Sequence, residues 1–339
     1  MLKMSFDIER AGRQQTGLHK HVFNGKTMGT RYSAIIISEE VQPAEGLEEA
    51  LYAAVDRVDR QMSTWNPDSD LMQLNRAKVD VWTKVPADLF KVLEGAIAIN
   101  RASSGLFDPA VGSIVDAWGF GATSREPDVK SIGEQLRQTR MPTHALLELD
   151  PEQQAVLKKA QVKLDLCGIA KGYGVDVMAE VLKAFDIKSG LVGIDGEMRA
   201  IGPKVKNVPW SIALEKPDYS MREAFGKVHL QDAAIATSGD YRHWVKVGNR
   251  TFSHTMDPRR NGPLQNNVAS VSVIAEHCMT ADGWATALMV MGAEAGLHVA
   301  RAKGINALFL IRDGETLKQI AVGPAFESTS SDYRSTCWI

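Results

Sequence analysis

The chain has 339 residues, 44% of them hydrophobic and 24% charged, with a formal net charge of −2. That length allows one large domain or two intimately joined lobes around a sizeable core. The near-neutral charge gives no electrostatic footprint for nucleic acid or an anionic membrane, and no apolar run reaches the length of a transmembrane helix.

The first 23 residues, MLKMSFDIERAGRQQTGLHKHVF, lack the apolar core of a signal peptide. Either the protein is cytoplasmic, or an export signal has been removed and replaced by other residues. RYSAIII (31–37) alternates and then turns continuously apolar, as a core strand does. Helical repeats follow over Leu47–Met62 and Ala87–Ala102, each leading into a turn-rich stretch, STWNPDSDLMQLN (63–75) and SSGLFDPAVG (103–112). HALLELD and AVLKKAQVKLDL read as a hairpin around Asp150 and Pro151 that runs into the loop CGIAKG (167–172).

A helix is predicted over 174–185 and a buried strand at GLVGI (190–194). PWSIALEKP, AIATSG, HWVKVGN, RTFSHTMD and VASVSVIA are further strands separated by turn signals. A long apolar helix starts at Asp282, followed by another over 293–302 and the strand NALFLI. The Ser/Thr-rich tail after Pro324 is expected to pack loosely. Strands and helices mix without regular βαβ alternation, so the predicted class is α+β, with mixed or antiparallel sheets flanked by helices. Cys167, Cys278 and Cys337 are an odd number without metal spacing, which indicates no disulfide framework.

Three polar constellations stand out. In TADGWATALMVMG (280–292), Asp282 and Thr286 lie one turn apart on the same face of an otherwise apolar helix. Taken alone they read as helix-entrance chemistry, with Thr280 as N-cap, Asp282 favoured by the dipole and Thr286 bonded to a carbonyl. DLCGIAKGYGVD (165–176) is a small-residue loop that lets backbone groups approach a ligand, with Lys171 as a positive charge; a glycine-rich turn with a surface lysine is the equal alternative. The GxxxxGK[ST] spacing is missing. His254, in SHTMDPRRNGP, has Asp257 three residues on, an acid placed to orient the ring or adjust its pKa. No GxSxG elbow accompanies it, which disfavours a Ser-His-Asp hydrolase.

TMGTRYS, STWNPDSDLMQLN, FDPAVGSIVDAWGFG, DLCGIAKGYGVD, ATSGDYR, SHTMDPR and TADGWATAL, in that order from about Thr27 to Phe309, resemble the FAD:protein FMN transferases, the ApbE family. The resemblance implies a T-fold-like transferase domain over 21–324, with a flexible segment at 1–20 and a tail at 325–339. It implies Mg²⁺-dependent cleavage of FAD, attachment of FMN to a Thr or Ser of a partner protein, and release of AMP. Asp282, Thr286 and the main-chain carbonyl of Gly168 would be the metal ligands, an all-oxygen set suited to Mg²⁺. Met28, Leu106, Phe107, Asp108, Asp165 and Lys171 match FAD-contacting positions. Trp65, where the family usually has Tyr, would stack on the adenine, and Met256 would line the flavin or simply belong to the core. His254 would be the general base, with Asp240 and Asp257 in support. The acceptor would be a flavoprotein domain, of a membrane redox complex, in the periplasm.

The chain departs from the family pattern at Asp195, where a Gly is usual, at Cys167 and at Asn261. DAWGFGAT (116–123) ends like a flavin-acceptor motif but has the wrong spacing, and reads as a cofactor-side loop. An FAD pyrophosphatase with water as acceptor and a non-catalytic FAD-binding protein are the competing functions; retention of His254 together with the metal pair argues against the second.

Overall fold

Apolar runs that do not alternate belong to strands covered on both faces, and the computed structural model shows this arrangement. It describes residues 17–122, 126–218, 221, 223–241, 244–247, 250–314 and 316–327. Eight strands form the main sheet: β1 His19–Thr27, β2 Thr30–Ser38, β3 Gly190–Ile194, β4 Glu197–Ile201, β5 Ala234–Gly239, β6 Val268–Ala275, β7 Asn306–Asp313 and β8 Thr316–Val322. Their order across the sheet is their order along the chain, and each neighbouring pair is antiparallel. The fold is therefore α+β around an antiparallel meander. One sheet runs through both halves of the chain, and long insertions between its strands carry the helices.

The two-residue period of a strand divides the apolar side chains between two cores. Ile35, Leu191, Ile235, Ile274 and Leu308 point to one face, where the hairpin Trp210–Glu215 with Ala224–Leu230 covers them. Their neighbours Ile36, Val192, Ala236, Val273 and Phe309 point to the other, beneath the helices. Those helices are α1 Leu47–Met62, α2 Ala87–Ala102, α3 Ala170–Ala184, α4 Cys278–Met291 and α5 Ala293–Lys303. No helix of the described residues is long and apolar enough to cross a membrane.

The first two helices start and stop where the sequence predicts. The next two begin earlier than predicted, and both shifts matter for the site. α3 starts at Ala170, so Gly172, taken for a loop residue, lies within a helix. A Cβ on Gly172 would fall 2.4 Å from the Cys278 carbonyl oxygen, and one on Gly174 would fall 2.7 Å from Ile194 Cδ1. These glycines are there for close approach to α4 and to the sheet. Similarly, α4 starts at Cys278, which places Asp282 beyond its first turn. Neither Thr280 nor Asp282 caps it. Asp176 of α3 does so from outside, its Oδ1 and Oδ2 accepting from the N–H groups of Cys278 and Met279 at 2.8 and 2.9 Å.

At the other end of the chain, Pro324–Glu327 forms a short helix whose Phe326 is fully buried in the hairpin-side core. The first residues of the expected loose tail thus belong to the folded body.

Asp176 also pairs with Arg199 Nη1 at 2.7 Å, and both side chains are nearly inaccessible. Asp176→Ala removes two cap bonds and strands a buried guanidinium, at an expected cost of about 3–5 kcal/mol. Urea unfolding followed by circular dichroism measures it; a loss below about 1 kcal/mol would show that α4 does not depend on this cap.

Candidate functional site

The start of α3, the middle of α4 and the turn between β3 and β4 meet at one place. Asp282 is 4% exposed, and its Oδ2 accepts from Gly172 N–H, in the first turn of α3, at 2.9 Å. Its other oxygen accepts no hydrogen bond from the described residues. Burial first, and then the carboxylate of Glu197, push Asp282 up to about 7, against the pull of Lys171 and the Gly172 N–H. One turn along α4, the Thr286 hydroxyl is 2.9 Å from the Ser238 hydroxyl at the end of β5. Gly168 sits against both Thr286 and Phe107: a Cβ there would lie 3.2 Å from Thr286 Oγ1 and 3.3 Å from the Phe107 ring. Only a bare backbone fits this gap comfortably.

Lys171 reaches across from α3 to Glu197 Oε1 at 2.8 Å, with Asp195 Oδ2 at 3.8 Å. Burial works against its charge, but Glu197, Asp282 and Asp195 more than offset this and hold the ammonium above its ordinary range. Asp195 adopts a left-handed backbone, φ 55°, a conformation that Asp tolerates better than most residues. The Gly usual in the family is thus replaced without forbidding the turn. The same holds at Asn261, φ 49°.

The other predicted cofactor positions surround this junction unevenly. Met28 and Gly29 form the two-residue β1–β2 turn with φ of 49° and 72°, the pattern of a type I′ turn, and Asp59 Oδ2 accepts from Met28 N–H at 3.2 Å. Met28 packs toward Gly174 of α3. Phe107 is buried; its N–H donates to Ser103 Oγ at 3.0 Å, and its carbonyl accepts from Asn100 at 2.6 Å. Leu106 packs against the same core. Asp108 is turned inward, to Arg140 at 3.0 Å, Ala110 N–H at 3.0 Å and the Thr143 hydroxyl, so its carboxylate braces the loop. Asp165 accepts from Cys167 N–H at 2.8 Å and holds that exposed thiol well above its ordinary pKa. Trp65 is 56% exposed on the turn after α1.

The histidine segment forms a separate wall. The strand Arg250–Ser253 ends before His254, which lies in a bend, and pairing resumes at Met256–Asp257. The His254 ring meets Phe120 edge-on at 6.4 Å between centroids. Met256 is buried with Ile114, Trp118 and Ile132, the core alternative of its two readings. Asp257, expected to orient the histidine, has both oxygens clamped by Arg259 at 2.8 and 2.9 Å, and Arg259 also donates to the Val290 carbonyl at the end of α4. Asp240 is held in the same two-pronged way by Arg312 at 2.5 and 2.7 Å. Asp240 thus joins the end of β5 to β7, whereas Asp257 fixes Arg259 within its own turn. Thr123, the end of the acceptor-like segment, lies outside the described residues.

Glu197, Asp176 and Ser238 escape a sequence reading, although Asp176 and Ser238 lie within quoted motifs. The available signal was Glu197 and Arg199 two apart in a strand, which places both charges on one face, where Lys171 and Asp176 of α3 meet them. As a cation site the junction fits a hard ion: a carboxylate with one uncommitted oxygen, a hydroxyl, and a backbone bared by glycine. Among the described residues no three His, Cys, Asp or Glu side chains form a metal cage. A single carboxylate suits Mg²⁺, which keeps several waters and takes phosphate oxygens.

Residues 28–309 match the ApbE family. An FAD:protein FMN transferase of Vibrio cholerae is 37% identical over 313 residues, covering 92% of this chain and 93% of its own. One of Haemophilus influenzae is 36% identical over 297 residues, with 85% and 86% covered. Among solved structures, the flavin transferase ApbE from Vibrio cholerae is similar with a TM-score of 0.80 at 34% identity, over 92% of this chain and 99% of that one. The apo form of the Pseudomonas stutzeri flavinyl transferase ApbE gives 0.79 at 31% identity, over 92% and 97%.

Because the folded state keeps the Asp282 proton up to about 7, while the unfolded chain releases it near 3.8, ionisation of Asp282 costs stability as pH rises through that window. In metal-free buffer, Asp282→Asn should therefore gain more stability over the wild type at pH 8 than at pH 5. Urea midpoints at the two pH values test this; an equal difference at both would place the carboxylate in an ordinary environment.

Proposed function

This chain belongs to the ApbE family, and from that premise we propose that it moves the FMN half of FAD onto a Thr or Ser hydroxyl of a partner protein, with Mg²⁺ held by Asp282, Thr286 and the Gly168 carbonyl. It is a flavin transferase, with FAD as substrate and a protein as acceptor. The residues and the ion are the proposed part. They rest on one observation above all: Asp282, a buried carboxylate with a free oxygen, stands at the entrance of α3 one turn from a hydroxyl and beside a glycine backbone.

In the proposed reaction the acceptor oxygen attacks the phosphorus on the FMN side of the pyrophosphate. A new P–O bond forms, the P–O bond to AMP breaks with the bridging oxygen leaving on AMP, and His254 takes the hydroxyl proton. Lys171, kept charged by Glu197, would meet phosphate oxygens where the α3 N-terminus already favours negative charge. The ion, when bound, would offset the charge that develops on the phosphate and leaving group. Trp65 would stack on the adenine, while Met28 and Phe107 would flank the flavin half. Family resemblance further supports an acceptor in a membrane redox complex and work in the periplasm.

Mixing the enzyme with FAD, Mg²⁺ and an acceptor domain should add one FMN mass to the acceptor, with AMP released; free FMN alone would mean hydrolysis. Chelation or Asp282→Ala should abolish the mass gain. His254→Ala should slow transfer by about 10²–10⁴-fold while FAD affinity holds. Transfer by Asp282→Ala at the wild-type rate would remove the metal assignment, and loss of FAD binding by His254→Ala would make that residue a cofactor-positioning group.

A further inference from the structure

Ser238 ends the row of small side chains that β5 turns toward the helices. Ala234 and Ala236 precede it on that face, both fully buried, and α4 lies against the strand there. At the end of the row the Ser238 hydroxyl stands 2.9 Å from the Thr286 hydroxyl of α4. A threonine within a helix commonly turns its hydroxyl back to the carbonyl one turn earlier. Thr286 does not: among the described residues, Ser238 is the hydrogen-bond partner of its hydroxyl. Gly168 bares the backbone beside the same oxygen, since a Cβ there would come within 3.2 Å of Thr286 Oγ1. The Thr286 hydroxyl thus lies between a strand side chain and the loop backbone that carries the Gly168 carbonyl.

We propose that Ser238 is a positioning residue for the metal site: its oxygen accepts the Thr286 proton and so turns a Thr286 lone pair toward the ion. The proposal rests on the reading of Asp282, Thr286 and Gly168 as Mg²⁺ ligands. A hydroxyl has one proton and two lone pairs. When a lone pair meets a cation, the proton has to point elsewhere, and a half-buried O–H needs an acceptor. Ser238 Oγ is that acceptor, whereas Asp282 Oδ2 is committed to the Gly172 N–H. Ser238 is itself half-buried, which leaves its own proton within reach of water or a phosphate oxygen. With Ser238 removed, no other described residue bonds the Thr286 hydroxyl, which is then free to turn back to the Asp282 carbonyl. A second neutral hydroxyl directs the ligand without adding charge to a region that already holds Asp282, Glu197 and Asp176.

Titration of the protein with Mg²⁺ at fixed FAD, without acceptor and read by flavin fluorescence, tests this. Ser238→Ala should raise the half-maximal Mg²⁺ concentration by about 10–100-fold, the loss typical when the partner of a metal ligand is removed. Its FAD affinity in chelator should match the wild type, because Ser238 acts only through the ion. Ser238→Thr, which keeps the hydroxyl and suits a strand, should stay near the wild type. In a Thr286→Val background, Ser238→Ala should add nothing, since the hydroxyl it directs is gone. A wild-type Mg²⁺ requirement in Ser238→Ala would overturn the proposal. Equal impairment of Ser238→Thr and Ser238→Ala would also overturn it, because the effect would then be one of packing. A full further loss in the Thr286→Val background would do the same and make Ser238 a ligand in its own right. Asp282→Asn, run in parallel, separates the two levels. It should lose the Mg²⁺ response; a wild-type response there would remove the metal reading, and the role of Ser238 with it.

Discussion

The site depends on a crossed exchange of carboxylates between two helices. Asp176 of α3 satisfies the first N–H groups of α4, and Asp282 of α4 accepts from an N–H in the first turn of α3. Each helix supplies what the other's entrance lacks, since backbone N–H groups at a helix start have no partner within the helix. The exchange is possible only at short range. Gly172, whose missing Cβ leaves room for the Cys278 carbonyl, sets that range. Asp282 thereby has one oxygen fixed by the helix, while the other accepts no hydrogen bond from the described residues and is the one proposed to meet a cation.

This arrangement carries an electrostatic cost that explains its chemistry. Asp282, Glu197 and Asp176 bring three acidic groups into a small buried region, opposed by Lys171 and Arg199. Arg199 is committed to Asp176 and Lys171 to Glu197, so Asp282 is the acid left without a full counter-charge. A buried carboxylate in that position either keeps its proton or gains a cation. In the proposed reading the pyrophosphate of FAD would add negative charge to the same place, and a divalent ion would complement it.

Much of this was legible in the sequence. The apolar runs gave the strands, α1 and α2 had clean 3.6-residue patterns, and the ordered motifs pointed to the family. What escaped was tertiary. Gly172 looks like a loop residue because helix propensity counts glycine against a helix, yet packing between α3 and α4 requires it there. The start of α4 was misplaced because its cap comes from Asp176, about a hundred residues away in the chain. Asp257 lies near His254 in its motif and Asp240 in the motif before it, but Arg259 and Arg312 pair with both oxygens of each. Sequence adjacency shows that an acid is near, not which cation takes it.

Equilibrium FAD binding, measured by flavin fluorescence on metal-depleted protein with and without added Mg²⁺, tests the central claim most directly. The account predicts that Mg²⁺ tightens FAD binding to the wild type, whereas Asp282→Asn binds FAD with an affinity that Mg²⁺ does not change. Equal tightening in both proteins would contradict it, and would show that the carboxylate shared between α3 and α4 holds the helices together but not the ion.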